Sequence, residues 1–226
     1  MFEAVVFDMD GVIFDTEKLY RRFYLEEGDK QGVPQDVMVR ACEQIAGGRK
    51  DENKPKFESI VGRGIDYYEF REGVMSKLED YINHNTVDVK LGVLETLEFL
   101  KENNFKVALA TSTKQQRATK YLTEHNMMKY FDKLVFGDSI SRSKPHPDIY
   151  LKACEELGVE PSNAIAIEDS INGIISAGRA GMFPIMAIDL IPPNDQVREY
   201  AKLICNNMLE VKTFIEGLSE LTAKLD

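Results

Sequence analysis

The spacing of apolar positions changes character twice along the chain. Ala4-Val5-Val6-Phe7 is a short continuous apolar run, ended abruptly by Asp8-Met9-Asp10-Gly11. Such a run predicts a buried strand followed by a tight turn. From Glu17 to about Tyr81 the chain is charge-rich and poor in β-branched runs. Helical spacing shows there at Leu19, Phe23 and Leu25, and again at Tyr67, Phe70 and Val74. That stretch predicts several helices and no strand.

Beyond Leu91 helix and strand patterns alternate. A helix over Leu91–Asn103, with Leu94, Leu97 and Leu100 on one face, leads to a strand over Lys106–Ala110. A helix from about Lys114 to His125 leads to a strand near Lys133–Phe136, and one over Pro147–Leu157 to a strand over Ala164–Ile167. A last helix over Asn172–Ala180 precedes a strand over Phe183–Ile188. Alternation of this kind predicts a parallel sheet covered on both faces, a Rossmann-like three-layer α/β/α core. Ligands bind such sheets at the carboxyl ends of the strands. The expected domains are therefore an α/β core of residues 1–15 and 89–226, and an all-helical cap of residues 16–88 inserted after the first strand.

Composition narrows the partners. With 226 residues, 43% hydrophobic and 29% charged, the chain reads as globular. Its 28 basic and 38 acidic side chains give a net charge of -10, which argues against nucleic acid or an anionic membrane as the main partner. The three cysteines, Cys42, Cys154 and Cys205, lack the spacing of a disulfide framework or zinc site. No basic leader opens the chain and no apolar run approaches the roughly 20 residues of a membrane span, so a cytoplasmic protein is expected.

Four polar clusters follow predicted strands: Asp8-Met9-Asp10, Thr111-Ser112-Thr113, Lys144 in Ser143-Lys144-Pro145, and Glu168-Asp169. Each alone has an ordinary explanation. Thr-Ser-Thr and Glu-Asp-Ser are good helix caps, and a D-x-D pair suits a solvated turn. Parallel strands would nevertheless bring all four clusters to one sheet edge, and capping does not account for that set. A carboxylate that attacks phosphorus forms an aspartyl phosphate, which water can hydrolyse. Asp8 and Asp10, two apart on an extended chain, can face one substrate, with Asp10 protonating the leaving oxygen and deprotonating the attacking water. The Thr111 hydroxyl, amides near Ser112 and Lys144 would bind phosphoryl oxygens and stabilise transition-state charge, which makes Thr111 and Lys144 catalytic candidates too. Glu168 and Asp169 add hard oxygen ligands suited to Mg²⁺, whose charge relieves carboxylate repulsion.

Phe7-Asp8-Met9-Asp10-Gly11-Val12, Ala110-Thr111-Ser112, Ser143-Lys144-Pro145-His146-Pro147-Asp148 and Ile167-Glu168-Asp169-Ser170 resemble the four motifs of the haloacid dehalogenase-like hydrolase superfamily. Their order and spacing agree over nearly the whole chain. The helical insert and Phe14-Asp15-Thr16-Glu17 resemble the branch holding β-phosphoglucomutase and sugar-phosphate phosphatases. The resemblance implies Asp8 as nucleophile and Asp10 as general acid/base. It also implies Mg²⁺ held by the Asp10 backbone carbonyl and the side chains of Asp8, Asp169 and Glu168, the last directly or through water. The activity it implies is phosphatase action on a small phosphorylated metabolite, a sugar phosphate first of all, with a phosphosugar mutase as the alternative.

The insert bears on that choice. Tyr20 occupies the place where β-phosphoglucomutase has a histidine, which favours hydrolysis. Arg49 or Lys50 matches the cation that grips a distal phosphate in that enzyme, which favours the mutase. Five basic residues, Arg49, Lys50, Lys54, Lys56 and Arg63, stand against three acidic ones in the same stretch. Such a positive rim would draw in an anion despite the negative whole. Receiver-type signalling modules also use clustered aspartates, a threonine and a lysine. They are a single small domain usually without a helical insert, and their acceptor aspartate sits on a middle strand. A non-catalytic protein of the same fold is a further alternative, although every catalytic group is present.

Overall fold

The computed structural model describes residues 2–45, 50–62 and 64–223. The elements, in chain order, are β1 (Ala4–Phe7), α1 (Thr16–Lys30), α2 (Gln35–Ile45), α3 (Lys50–Val61), α4 (Tyr67–His84), α5 (Val93–Glu102) and β2 (Lys106–Thr111). They continue with α6 (Gln115–Glu124), β3 (Lys133–Phe136), α7 (Asp148–Leu157), β4 (Ala164–Glu168), α8 (Ile171–Arg179), β5 (Phe183–Ala187), α9 (Asp195–Tyr200), β6 (Leu203–Cys205) and α10 (Met208–Ala223).

Among the described residues the strands form one six-stranded parallel sheet in the order β3-β2-β1-β4-β5-β6. The chain steps outward from β1 through β2 to β3, then returns to the other side of β1 for β4. That reversal makes the gap between β1 and β4 the topological switch point, where such sheets bind ligands beyond the strand ends. Central strands are buried on both faces, so β1 and β4 carry no exposed residue. One sheet face is lined by Ala4, Val6, Ala108, Ala110, Ala164 and Ala166. These small side chains let α7 pack closely through Ile149, Tyr150, Ala153 and Leu157. The result is the Rossmann-like α/β arrangement that helix–strand alternation predicts.

Two details differ from the sequence expectation. In α5 the buried stripe is Val93, Thr96, Leu97 and Leu100, and Leu94 lies 39% exposed. A spacing of three drifts around a helix of 3.6 residues per turn, so Leu94 falls off the face that Leu97 and Leu100 share. The expected elements also stop at Ile188 and omit α9, β6 and α10. β6 is three residues long at the sheet edge, too short to show a period.

The chain divides into two compact units, Met1–Asp15 with Asp88–Asp226, and Thr16–Val87. The second contains α1–α4 and centres on Tyr24, Phe57, Tyr67 and Phe70, whose rings approach one another at 4.9 to 6.5 Å. No described helix is long and apolar enough to cross a membrane.

Candidate active site

The site grows from the ends of β1, β2 and β4. Past Phe7, Asp8 extends the strand's pairing by donating its backbone N–H to Ile167 O at 3.0 Å. The chain then closes a turn in which Ile13 and Phe14 both donate to Met9 O. Gly11 sits in that turn at φ +77°, and a Cβ there would lie 2.1 Å from the Asp169 carboxylate. A side chain at position 11 would therefore be strained and would displace Asp169.

Lys144 arrives from the loop before α7. That loop is fastened at several points: Ser176 Oγ donates to His146 O at 2.6 Å, Arg179 to Pro145 O at 3.1 Å, and Arg142 grips Asp148 through two nitrogens at 3.0 and 2.8 Å. The Lys144–Pro145 peptide is cis. So anchored, the buried Lys144 Nζ donates to Asp8 Oδ1 at 2.5 Å, Glu168 Oε1 at 2.6 Å and Ala110 O at 3.1 Å. An ammonium has three protons, and these acceptors use them all.

Glu168 and Asp169 end β4. Glu168 is fully buried. Its Oε2 accepts from the backbone N–H groups of Asp169 and Ser170 and from Ser170 Oγ, while Oε1 accepts from Lys144 and from Tyr150 OH at 2.7 Å. Ser170 is also the N-cap of α8, accepting from Gly173 N. A Cβ on Gly173 would stand 1.9 Å from the Glu168 carboxylate, so that glycine makes the space Glu168 occupies.

The third edge is the end of β2. Thr111 is fully buried and its Oγ1 accepts from Thr113 N at 3.0 Å, while Ser112 is exposed. Thr113 Oγ1 donates to Asp10 Oδ2 at 2.6 Å. The hydroxyl pattern does not cap α6, whose N-cap is Lys114 with no side-chain hydrogen bond.

Carboxylate oxygens of Asp8, Glu168 and Asp169 all lie within 4.8 Å of one another. Burial pushes the Asp8 carboxyl up to about 8; Lys144 opposes this, and the charges of Glu168 and Asp10 reinforce it. Burial alone would lower Lys144, yet Asp8 and Glu168 outweigh it and raise the ammonium above its usual value. One lysine thus faces a buried carboxylate trio. Hard oxygen donors in excess of the available positive charge fit a divalent cation of the Mg²⁺ type.

The fold thus brings Asp8, Lys144, Glu168 and Asp169 into one cluster, with Asp10 and Thr111 beside it through Thr113. Tyr20 lies half-buried in α1 and Lys50 exposed at the start of α3, both in the helical unit. Arg49 and Arg63 lie outside the described residues. The expected positive rim is weakened at Lys54, which pairs with Glu58 at 2.8 Å and Asp66 at 2.6 Å. Sequence pattern gives no role to Tyr150, Thr113, Gly11 or Gly173, because a helix-face tyrosine, a cap-like threonine and turn glycines are ordinary until their neighbours are known.

Known proteins bear on this arrangement. Residues 5–187 match the family described as haloacid dehalogenase-like hydrolase, and the chain belongs to that family. It is 36% identical over 188 residues to the phosphorylated carbohydrates phosphatase of Thermotoga maritima, covering 82% of this chain and 85% of the relative. It is 30% identical over 203 residues to the beta-phosphoglucomutase of Bacillus subtilis, covering 84% and 88%. A solved Thermotoga maritima structure, described as a proposed beta-phosphoglucomutase, matches with a TM-score of 0.75 at 32% identity over 96% of this chain and 99% of that one.

Proposed function

We propose that the protein is a Mg²⁺-dependent phosphatase of small phosphorylated metabolites, sugar phosphates foremost, working through an aspartyl phosphate on Asp8. The observation that carries this reading is Asp8 held by Lys144 within a buried carboxylate trio at the sheet's switch point. The name of the Thermotoga relative supports a carbohydrate phosphate as substrate.

An Asp8 carboxylate oxygen attacks phosphorus as the bond to the leaving oxygen breaks, giving the aspartyl phosphate. Asp10 supplies the proton to the leaving oxygen, then takes one from the water that releases phosphate. Thr113 holds the Asp10 carboxylate for these transfers through its 2.6 Å hydrogen bond. Lys144 offsets the negative charge of Asp8 and Glu168, so that an anionic phosphoryl group can approach. Thr111 and the amides at Ser112 bind the phosphoryl oxygens, and Lys144 joins them with the proton it redirects from Asp8 Oδ1 once that oxygen is bonded to phosphorus. Mg²⁺, held by the side chains of Asp8 and Asp169 and the Asp10 carbonyl, with Glu168 directly or through water, would neutralise the carboxylates and polarise the phosphoryl group when bound. The helical unit, residues 16–88, serves as a cap that excludes bulk water, with Tyr20, Arg49 and Lys50 reading the rest of the substrate.

The test is phosphate release from a panel of phosphorylated sugars and nucleotides, with Mg²⁺ or EDTA, by the parent and by Asp8→Asn. The variant should lose more than about 1,000-fold in kcat, and EDTA should silence the parent reversibly. Full activity in the variant overturns the assignment of Asp8, and indifference to EDTA overturns the metal. The mutase relative supports a second reading. It prevails if β-glucose 1-phosphate is converted to the 6-phosphate faster than phosphate is released.

A further inference from the structure

Tyr150 has no part in the chemistry above, yet its hydroxyl ends inside the cluster. The side chain is fully buried on α7 and donates to Glu168 Oε1 at 2.7 Å. The same oxygen accepts from Lys144 at 2.6 Å, and the ammonium lies 5.0 Å from the centroid of the Tyr150 ring. A buried phenol needs an acceptor, and a backbone carbonyl would serve for packing alone. Here the acceptor is the carboxylate that shares Lys144 with Asp8.

The surrounding contacts leave little slack. Lys144 has committed its three protons to Asp8, Glu168 and Ala110 O. Glu168 Oε2 is occupied by Ser170 and by two backbone N–H groups. Among the described residues Lys144 and Tyr150 are the donors to Oε1, so the phenol fixes where that oxygen points and, through it, where the ammonium sits. α7 can set this geometry because the alanine-lined sheet face seats Tyr150 together with Ile149 and Ala153.

We propose that Tyr150 is a positioning residue that orients Glu168 and Lys144 for cation binding and for holding Asp8. The proposal rests on the phosphatase reading for its catalytic consequence, and its primary test does not need that reading. In full-length protein without substrate, Mn²⁺ binding is measured from the free-ion paramagnetic resonance signal for the parent, Tyr150→Phe and Tyr121→Phe. Tyr121 is another buried tyrosine of the same unit and controls for loss of a phenol in general. Tyr150→Phe should weaken Mn²⁺ by about 10-fold, as the loss of a partner to a ligating carboxylate does, while Tyr121→Phe stays within about two-fold. With a substrate from the panel, kcat of Tyr150→Phe should fall while KM stays within about two-fold.

Mn²⁺ affinity of Tyr150→Phe within about two-fold of the parent overturns the proposal, whatever happens to its melting temperature. Equal losses in both variants, a Tyr150→Phe chain that fails to fold, or a parent that binds no Mn²⁺ overturn it as well. A parent that binds Mn²⁺ but releases no phosphate from any substrate counts against the phosphatase reading and leaves the metal comparison standing.

Discussion

The α/β unit and the helical unit bury different kinds of side chain. In the α/β unit, Asp8, Thr111, Lys144, Glu168 and Asp169 are all buried at strand ends or in the loops that meet them. The helical unit closes over aromatic rings, Tyr24, Phe57, Tyr67 and Phe70, and keeps most of its charge outside. Its buried carboxylate, Glu27, is met by Lys77 at 3.2 Å and Gln31 at 2.8 Å. A buried ion pair is a poor source of stability compared with well-packed apolar groups, so a cluster of three carboxylates around one lysine is not explained by stability. Its presence at the switch point of the sheet is explained by chemistry. The contrast teaches that the α/β unit carries a buried charged cluster at the edge of its apolar core, whereas the helical unit's core is closed by packed rings.

Among the changes that test this contrast between the units, removing the charge at the centre gives the largest expected effect. Lys144→Met leaves Asp8 and Glu168 buried without their cation. In EDTA it should reduce unfolding free energy by about 3–5 kcal/mol, read by denaturant titration. Phosphate release should fall by more than about 100-fold even with Mg²⁺ restored. A variant that is both as stable and as active as the parent would break the contrast, because the buried charge would then be incidental.

The difference between the units also governs what the sequence makes legible. Strands β1 and β4 stand out because burial on both faces requires an unbroken apolar run, and the residues just past them are conspicuous as charges at the end of such a run. Asp8, Glu168 and Asp169 are therefore visible in the order of residues alone. Lys144 is visible as a cation following a predicted strand, but its placement is not, since it depends on a loop pinned by Arg142, Ser176 and Arg179. Tyr150 is invisible, because beside Ile149, Ala153 and Leu157 it reads as core, and only packing decides where its hydroxyl goes. Thr113 reads as a cap and instead reaches Asp10 across 103 positions of sequence. In the helical unit the period announces helices, but side chains three apart do not say which neighbours they meet. Leu94, in α5 of the α/β unit, shows how such spacing misassigns a face.

Phe57→Ala probes the packing side of the comparison. Phe57 is fully buried, with Tyr67 at 5.3 Å and Phe70 at 4.9 Å between ring centroids. Truncation should lower stability by about 3 kcal/mol in denaturant titration, since the cavity cannot fully collapse. Mn²⁺ affinity should remain within about two-fold of the parent, because none of the clustered carboxylates belongs to that unit. A parallel loss of Mn²⁺ affinity would show that the aromatic core and the charged site are energetically one system, and the contrast would fail.

The smallest effect belongs to a charge that looks important in sequence. Lys54 stands in the basic stretch expected to attract an anion, yet it bridges Glu58 and Asp66 and lies 4.6 Å from the Tyr68 ring centroid. Asp66 in turn caps α4 by accepting from Tyr68 N and Glu69 N, a role it keeps without the lysine. Exposed pairs of this kind contribute little, because water solvates the separated charges nearly as well. Lys54→Met should therefore shift the melting temperature by no more than about 2 °C and leave KM for a sugar phosphate within about two-fold. A several-fold rise in KM would mean that the lysine exchanges its carboxylates for substrate. Lys54 would then join Arg49 and Lys50 in reading the substrate, and the line between paired surface charge and recognition charge in the helical unit would have to be redrawn at Lys54.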